Sequence, residues 1–484
     1  MSLIELDLVD DHERFRAELS SISPDGKRKW IYARKPRGRF TRWRNILGVF
    51  LLAFLVLAPF IKVRGHQFLL FNIIERQFVF FGMPFWPNDF YLVALLFLTG
   101  VVTIVLFTAT LGRIWCGWLC PQTIFMEMVF RKLEWLIEGG PKEQSARNAG
   151  PWNFDRIWRA VLKIKIFSII SFGIANVFLA YIVSSDVLIL YVINGPMAHF
   201  ELFGGLVFFT FVFFMVFYRF REQACLIACP YGRYMSALVD ENTVAISYDF
   251  MRGESRAKWS REDNEAKKAA LSGTTGEFTR PASKGDCVDC HQCVTVCPTG
   301  IDIRNGIQLE CVSCTACIDA CDEVMDKVGL NKGLIRYSSL TAIETNQTRV
   351  FTLRIKAYLA VWLLMISIVV ILFVLRQDLD VVILRQEGTT WVMMQDGIAN
   401  FYRLQIINKT GKDITYEMRV ISPSGYSIKN IGLPSHVSPE QILKGRFIII
   451  QDKHSAQASQ DKISIEMISN GQVFRVITTS FISP

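Results

Sequence analysis

The chain has 484 residues, of which 51% are hydrophobic and 37 are phenylalanine, and its formal net charge is +9. A mean hydropathy of +0.29 excludes an ordinary soluble protein and points to one embedded in a membrane. The basic excess flanks apolar runs, so it reports membrane topology, and nothing in it calls for a nucleic-acid partner.

Residues 1–44 form a basic N-terminal tail whose acidic opening (Glu5, Asp7, Asp10, Asp11) lacks a signal-peptide pattern. Lys27, Arg28, Lys29, Arg34, Lys35, Arg37, Arg39, Arg42 and Arg44 precede the first apolar run and are expected to lie on the inner leaflet against anionic lipid. Five runs, 45–61, 90–111, 161–183, 200–218 and 357–375, come near the roughly 20 residues that cross a bilayer. Basic residues crowd the connection after the second run (Arg113, Arg131, Lys132, Lys142, Arg147, Arg156, Arg159) and follow the fourth (Arg219, Arg221). The loop 184–199 has Asp186 as its only formal charge. This asymmetry puts the N-terminus in the cytoplasm and the C-terminus across the membrane.

Segment 62–89 is expected outside, with Phe78, Phe80, Phe81, Phe85 and Trp86 as interfacial anchors. At the inner end of the second run stand Cys116 and Cys120, a C-x3-C-P pair before Pro121. Residues 122–138 have an amphipathic pattern, with Met126, Phe130, Leu133 and Ile137 on one face and Glu127, Arg131, Glu134 and Glu138 on the other. That pattern predicts a helix lying in the membrane interface. A second pair, Cys225 and Cys229 before Pro230, closes the fourth run in the same way, so the arrangement is an internal repeat.

On a helix, residues i and i+4 share a face with Cβ atoms about 5–6 Å apart. A disulfide prefers about 3.5–4.5 Å, so each pair is poorly set to close on itself. Two soft thiolates on one face suit a soft metal, Cu(I) foremost. A redox dithiol pair and a third iron–sulfur cluster are the alternatives. His66 and Met83 with Met197 and His199 are a further copper-compatible set, but no spacing fixes them and interfacial packing explains them as well.

Residues 251–285 are charged and rich in Gly, Ser and Thr, and are expected to be a linker into a domain at 286–335. That domain carries two C-x2-C-x2-C-x3-C motifs: Cys287, Cys290, Cys293 and Cys297, then Cys311, Cys314, Cys317 and Cys321. In such motifs three thiolates come from one tight turn and the fourth from the opposite motif. The first [4Fe-4S] cluster is therefore assigned to Cys287, Cys290, Cys293 and Cys321, and the second to Cys311, Cys314, Cys317 and Cys297. A zinc ribbon leaves the third and fourth cysteines of each motif unexplained. His291, inside the first motif, is expected to support the site or face solvent while thiolates do the ligating. Asp322 stands where proline follows the first motif, and a carboxylate there would lower the potential of the first cluster. All twelve cysteines are thereby used, each on the side where thiols stay reduced.

Residues 376–484 contain no cysteine. Strand-like runs at 402–408, 414–421, 447–451, 463–468 and 473–482, with turn signals at 409–411 and 422–425, predict an immunoglobulin-like β-sandwich. The fold expected is a polytopic α-helical membrane protein of five transmembrane helices. It carries a cytoplasmic bacterial-type dicluster ferredoxin domain and a C-terminal immunoglobulin-like β-sandwich. Its domains are a tail at 1–44, a four-helix region at 45–250, a linker at 251–285, the ferredoxin domain at 286–335, the fifth helix at 357–375 and the β-sandwich at 376–484.

The order of these features resembles the FixG/CcoG/RdxA family of cytochrome oxidase accessory proteins over nearly the whole chain. The likeness rests on WCGWLCPQ at 115–122, FREQACLIACPYGR at 220–233, both ferredoxin motifs, CDEVMDK at 321–327 and GLIRY at 333–337. Asp322 is usual in that family; Ser255 replaces its usual proline, away from any ligand. The resemblance implies reduction of Cu(II) to Cu(I) for assembly of a cbb-type haem–copper oxidase in a bacterial inner membrane. It implies a cytoplasmic electron donor, catalytic and copper-binding roles for Cys116, Cys120, Cys225 and Cys229, and a periplasmic domain facing copper transporters, chaperones and oxidase subunits. Two rival readings are a quinol-linked electron-transfer module of the nitrate or nitrous-oxide respiration type, and a non-catalytic scaffold whose clusters only stabilise the fold. The β-sandwich tail favours the accessory protein.

Overall fold

The computed structural model describes residues 21–483 except 23–24, 26, 64, 74–76, 87–88, 273–279, 282, 378, 387, 389–390, 395–396, 411, 440, 453–459 and 470. The acidic opening lies outside the described residues. Among the described residues, five helices are long and apolar enough to cross a membrane: Arg39–Phe60, Phe90–Leu111, Phe154–Val183, Phe200–Phe220 and Leu353–Val374. They coincide with the five predicted runs. The chain divides into two units, one holding most of residues 1–369 and the other built mainly from 370–484.

The first spanning helix starts earlier than its apolar run because it is capped from outside. The Asp319 carboxylate accepts hydrogen bonds from Phe40 N (3.1 Å), Thr41 N (2.6 Å) and Thr41 Oγ1 (2.6 Å). An acidic oxygen on the free N–H groups of a first turn satisfies them and complements the helix dipole. Asp319 belongs to Ala316–Val328, the helix that carries Cys317 and Cys321. The basic tail is likewise bound to protein where it was expected to lie on lipid. Arg34 N donates to Thr295 O at 2.8 Å, Arg34 Nη1 to Gln292 Oε1 at 2.8 Å, and Arg44 Nη1 to Cys314 O at 3.2 Å. Residues 34–44 thus strap the ferredoxin module to the first span.

Residues 122–138 also depart from expectation. They form helix Pro121–Ile124, a π-helical turn Phe125–Phe130 and helix Arg131–Glu138. Phe130 stacks on Phe217 with centroids 4.4 Å apart and meets Phe167 edge-on at 4.7 Å, which fills the apolar face as predicted. The opposite face is not solvated: Arg131 and Glu134 are each 2% exposed. Glu134 Oε1 is 2.6 Å from both Arg221 Nη1 and Lys163 Nζ. Burial alone would raise the Glu134 pKa, but these cations hold it below the ordinary carboxylate value. The loop after the third span holds an unpredicted short apolar helix, Ser185–Asn194. In segment 62–89, Leu69–Asn72 pairs antiparallel with Gln77–Phe80, so part of the expected aromatic anchoring is a small sheet.

The ferredoxin module is larger than 286–335. Strand Ala245–Tyr248 pairs antiparallel with Ile335–Ser338, and both pack into a core with Ile301, Ile303, Ile318, Met325 and Leu334. The supposed linker contributes helix Arg261–Ser272 and a buried ion pair, Arg280 with Asp263 at 3.2 Å. Arg280 also donates to the carbonyl oxygens of Gly285 and Cys287, pinning the start of the first cysteine loop. The described residues of 251–285 are therefore a built part of the module, where a linker was expected.

The second unit is an antiparallel β-sandwich. One sheet runs Tyr426–Ile431, Ile442–Asp452, Gly397–Asn408, Leu379–Arg385, with Val392–Met394 on the edge of Gly397–Asn408; the other runs Glu417–Ser422, Gln460–Ser469, Gln472–Ile482. Tyr402, Leu404 and Ile406 alternate inward and meet Phe447, Ile449, Ile463, Ile465, Met467 and Phe481. Strand periodicity of two produces this one-sided burial. Tyr402 Oη donates to Ser480 O at 2.8 Å and ties the two sheets together.

Candidate functional site

The two ferredoxin motifs adopt one backbone path twice. Asp289 and His291 in the first have φ of 47° and 52°; the matching Ser313 and Thr315 in the second have 53° and 65°. Left-handed residues alternating with right-handed ones turn successive N–H groups toward one centre, a concavity suited to anionic iron–sulfur cores. Each loop then enters a helix, Gln292–Thr295 or Ala316–Val328.

The thiols line two separate cavities. One is bordered by Cys287, Cys290, Cys293 and Cys321. The other is bordered by Cys297, Cys311, Cys314 and Cys317, and Cys293 borders both. Each cavity thus brings together the four cysteines of one crossed set. All twelve cysteines are free thiols. Among the described residues no three Cys, His, Asp or Glu side chains are gathered as a single-ion site. A four-iron cube stands between its thiolates and needs them apart around a void, which is what these cavities offer. Burial pushes the bare thiols up, Cys293 and Cys311 to about 12 and Cys314 to about 11. Deprotonation there needs a cationic metal core, so cluster binding and proton release go together.

Residues of the C-x3-C-P pairs do not share a regular helix face as expected. Cys116 lies in helix Ile114–Trp118, whereas Cys120 beyond it is extended (φ −66°, ψ 123°). Cys225 lies in the π-helical turn Ala224–Ala228, and Cys229 is again extended (φ −74°, ψ 116°). The cause is the proline after each second cysteine, which drives the preceding residue out of the α region. Pro121 and Pro230 then open new helices. The two pairs lie near enough for Cys116 and Cys225 each to feel the charge of thiols from both pairs, although among the described residues no three of them are gathered as a single-ion site. Burial raises the Cys116 thiol to about 11 and Cys225 to about 12, while Arg113 opposes both shifts.

Arg113 was legible only as a topology charge, yet it sits at this dithiol centre and donates to Leu309 O of the ferredoxin module. A Cβ at Gly232 would lie 2.4 Å from Cys225 O and 2.9 Å from Arg113 Nη2, so glycine is required there. Tyr231, hydrogen-bonded to Thr108 at 2.9 Å, packs beside Cys116.

The dithiol centre abuts the second cavity. Cys116 is buried in one cluster with Val296, Val312, Cys314, Ala316 and Ala320. A Cβ at Gly117 would stand 2.5 Å from Val312 O and 2.6 Å from Ser313 O, so this glycine admits the second ferredoxin loop. The order Cys290, Cys293, Cys314, Cys116 is continuous through the protein.

His291 also borders the first cavity. Its Nδ1 is 2.8 Å from Arg304 Nη2 and its Nε2 is 3.3 Å from an Asp289 oxygen. Asp322 accepts the Gly333 N–H at 3.1 Å. Of the His/Met set, Met197 is 91% exposed, and His199 lies tilted against Tyr191 with centroids 4.0 Å apart.

Three family models match: a "4Fe-4S dicluster domain" over residues 220–340, a "4Fe-4S binding domain" over 93–138, and an "IG-like fold at C-terminal of FixG" over 369–484. Curated relatives include the nitrogen fixation protein FixG of Rhizobium meliloti, 32% identical over 81% of this chain and 79% of the relative. Protein RdxB of Cereibacter sphaeroides is 32% identical over 91% of this chain and 93% of its own. Protein RdxA of the same organism is 34% identical over 82% and 83% respectively. A crystal structure of a FixG-related protein from Vibrio parahaemolyticus covers 22% of this chain and 98% of its own, at 17% identity and a TM-score of 0.21.

Proposed function

The chain belongs to the FixG/RdxA/RdxB family, and from that premise we propose that this iron–sulfur oxidoreductase reduces Cu(II) to Cu(I) for assembly of a cbb-type haem–copper cytochrome c oxidase. The observation that carries the reading is the burial of Cys116 in one cluster with Val312 and Cys314, which sets a dithiol centre beside a cluster-ligand loop. Clusters held by Cys287, Cys290, Cys293 and Cys321 and by Cys297, Cys311, Cys314 and Cys317 supply one-electron transfer. One electron converts one Cu(II) to Cu(I), with no proton or group transferred.

The chain's own residues account for the rest. Cys116, Cys120, Cys225 and Cys229 bind the substrate copper, and soft thiolates favour the reduced ion over the oxidised one. Arg113 offsets negative charge on these thiols and anchors their segment to the ferredoxin module. In the proposed orientation the N-terminus, the clusters and the donor are cytoplasmic. The β-sandwich is periplasmic and meets copper carriers and oxidase subunits. The family model over 93–138 favours one second reading, a third iron–sulfur cluster on the same four thiols.

The test is an anaerobic assay of purified, cluster-loaded protein reduced with dithionite and freed of excess reductant. Cu(II) is then added with a Cu(I)-specific chelator. The reading predicts Cu(I) in proportion to cluster oxidation, and its loss in Cys116→Ser/Cys120→Ser. Cluster oxidation without Cu(I) formation contradicts it.

A further inference from the structure

The electron donor has to meet the first cluster site somewhere, and the fold leaves one conspicuous approach. Cys290 is the only exposed cysteine of the twelve. It forms a wall shared by the first cluster cavity and by an open cavity of about 450 Å³, and Gln292 is shared in the same way. A molecule seated in the larger cavity therefore touches a cluster ligand with no protein in between. Four cations, Arg34, Lys35, Arg37 and Lys327, line this cavity against one carboxylate, Glu323.

Their pairing sharpens the charge. Glu323 is spent on Lys327 at 2.6 Å, and Arg34 donates to the neutral Gln292. Lys35 and Arg37 are exposed and have no ion-pair partner among the described residues. Arg34 N is tied to Thr295 O, which holds this basic segment beside the first cysteine loop. Unpaired cations on a surface raise the encounter rate of an oppositely charged partner and orient it. Exposed, long side chains at an open rim suit a protein surface better than an enclosed small ligand.

We infer that this basic face, centred on Cys290, is the docking surface for the electron donor, and that the donor is an acidic one-electron carrier protein. A hydride donor does not fit, because an iron–sulfur cluster accepts one electron at a time. Each encounter oxidises the carrier by one electron and leaves the chain one electron richer. One carrier turnover thus matches one copper ion. The inference rests on the proposed electron-transfer role of the chain.

The experiment uses the full-length, cluster-loaded protein in detergent micelles, with an acidic [2Fe-2S] ferredoxin as probe and a basic c-type cytochrome as control. Binding is measured by calorimetry across a salt series, and oxidation of reduced ferredoxin by stopped flow. The expected result is ferredoxin binding that weakens with salt and falls at least tenfold in Lys35→Glu/Arg37→Glu. Cluster absorbance and circular dichroism of the variant should match the parent. Equal affinity of parent and variant overturns the inference, as does tighter binding of the basic control. A third overturning result is no ferredoxin binding but salt-sensitive binding of the face to vesicles containing anionic phospholipid. Absence of Cu(I) formation with dithionite would sink the copper reading alone, so the two failures are distinguishable.

Discussion

Gly117 and Gly232 show how much of the dithiol centre depends on the absence of a side chain. At Gly117 an added Cβ would collide with two backbone carbonyl oxygens of the second ferredoxin loop, which cannot swing aside as a flexible side chain would. Gly117→Ala should therefore leave both clusters in place, as read from iron content and absorbance. Copper reduction should fall on the order of 10-fold or more, the scale of loss that an ångström of misplacement produces in redox and catalytic centres. An unchanged rate would show that the close approach of Gly117 to the second ferredoxin loop carries no function. Some of this was open to sequence reading. The cysteine spacing divided eight thiols into two crossed sets, and the fold places each set around one cavity. The proline after Cys120 and Cys229 also held the signal that neither pair stays on one helical face. The left-handed conformations at Asp289, His291, Ser313 and Thr315 were not legible, since none of these residues demands that geometry.

Elements contribute through tertiary pairings that local pattern cannot reveal. Asp319 caps the first spanning helix across 278 residues of sequence. Asp319→Ala should cost about 0.5–2 kcal/mol, as loss of an N-cap does. It should also speed hydrogen exchange at the Phe40 and Thr41 amides; unchanged exchange there would contradict the cap. The Asp263–Arg280 pair is the other hidden tie. Its side chains are 0% and 1% exposed, so Asp263→Ala leaves Arg280 buried without its carboxylate. Breaking one half of a buried pair costs about 3–5 kcal/mol. We expect the first cluster to be lost on heating before the second, followed by its visible absorbance and electron paramagnetic resonance. Simultaneous loss would show that Arg280 does not pin the first loop. Residues 251–285 looked like a linker because their composition is polar; helix Arg261–Ser272 and Arg280 are nonetheless built into the module. The polar face of helix Arg131–Glu138 misled in the same way. A period of charge predicts a solvated face only where nothing else packs on it, and here Arg221 and Lys163 do.

On the scale of the whole molecule, the hydrophobic runs placed all five spanning helices, because bilayer thickness leaves little freedom in length and composition. The β-sandwich was legible where strands alternate cleanly, as in Gly397–Asn408, whose inward Tyr402, Leu404 and Ile406 are fully buried. Tyr426–Ile431 escaped notice because Ser427, Lys429 and Asn430 interrupt its apolar content. Leu379–Arg385 escaped because it follows closely on the fifth span. The central claim concerns the chemistry at the C-terminal ends of the second and fourth apolar helices, where two readings predict different metals. Iron, acid-labile sulfide and copper are to be counted on protein purified anaerobically and loaded with Cu(I), with X-ray absorption at the copper edge. The account predicts about eight iron atoms per chain for two clusters, and copper in an all-sulfur environment that disappears when Cys116, Cys120, Cys225 and Cys229 are replaced by serine. About twelve iron atoms, with no copper bound through sulfur, would contradict it.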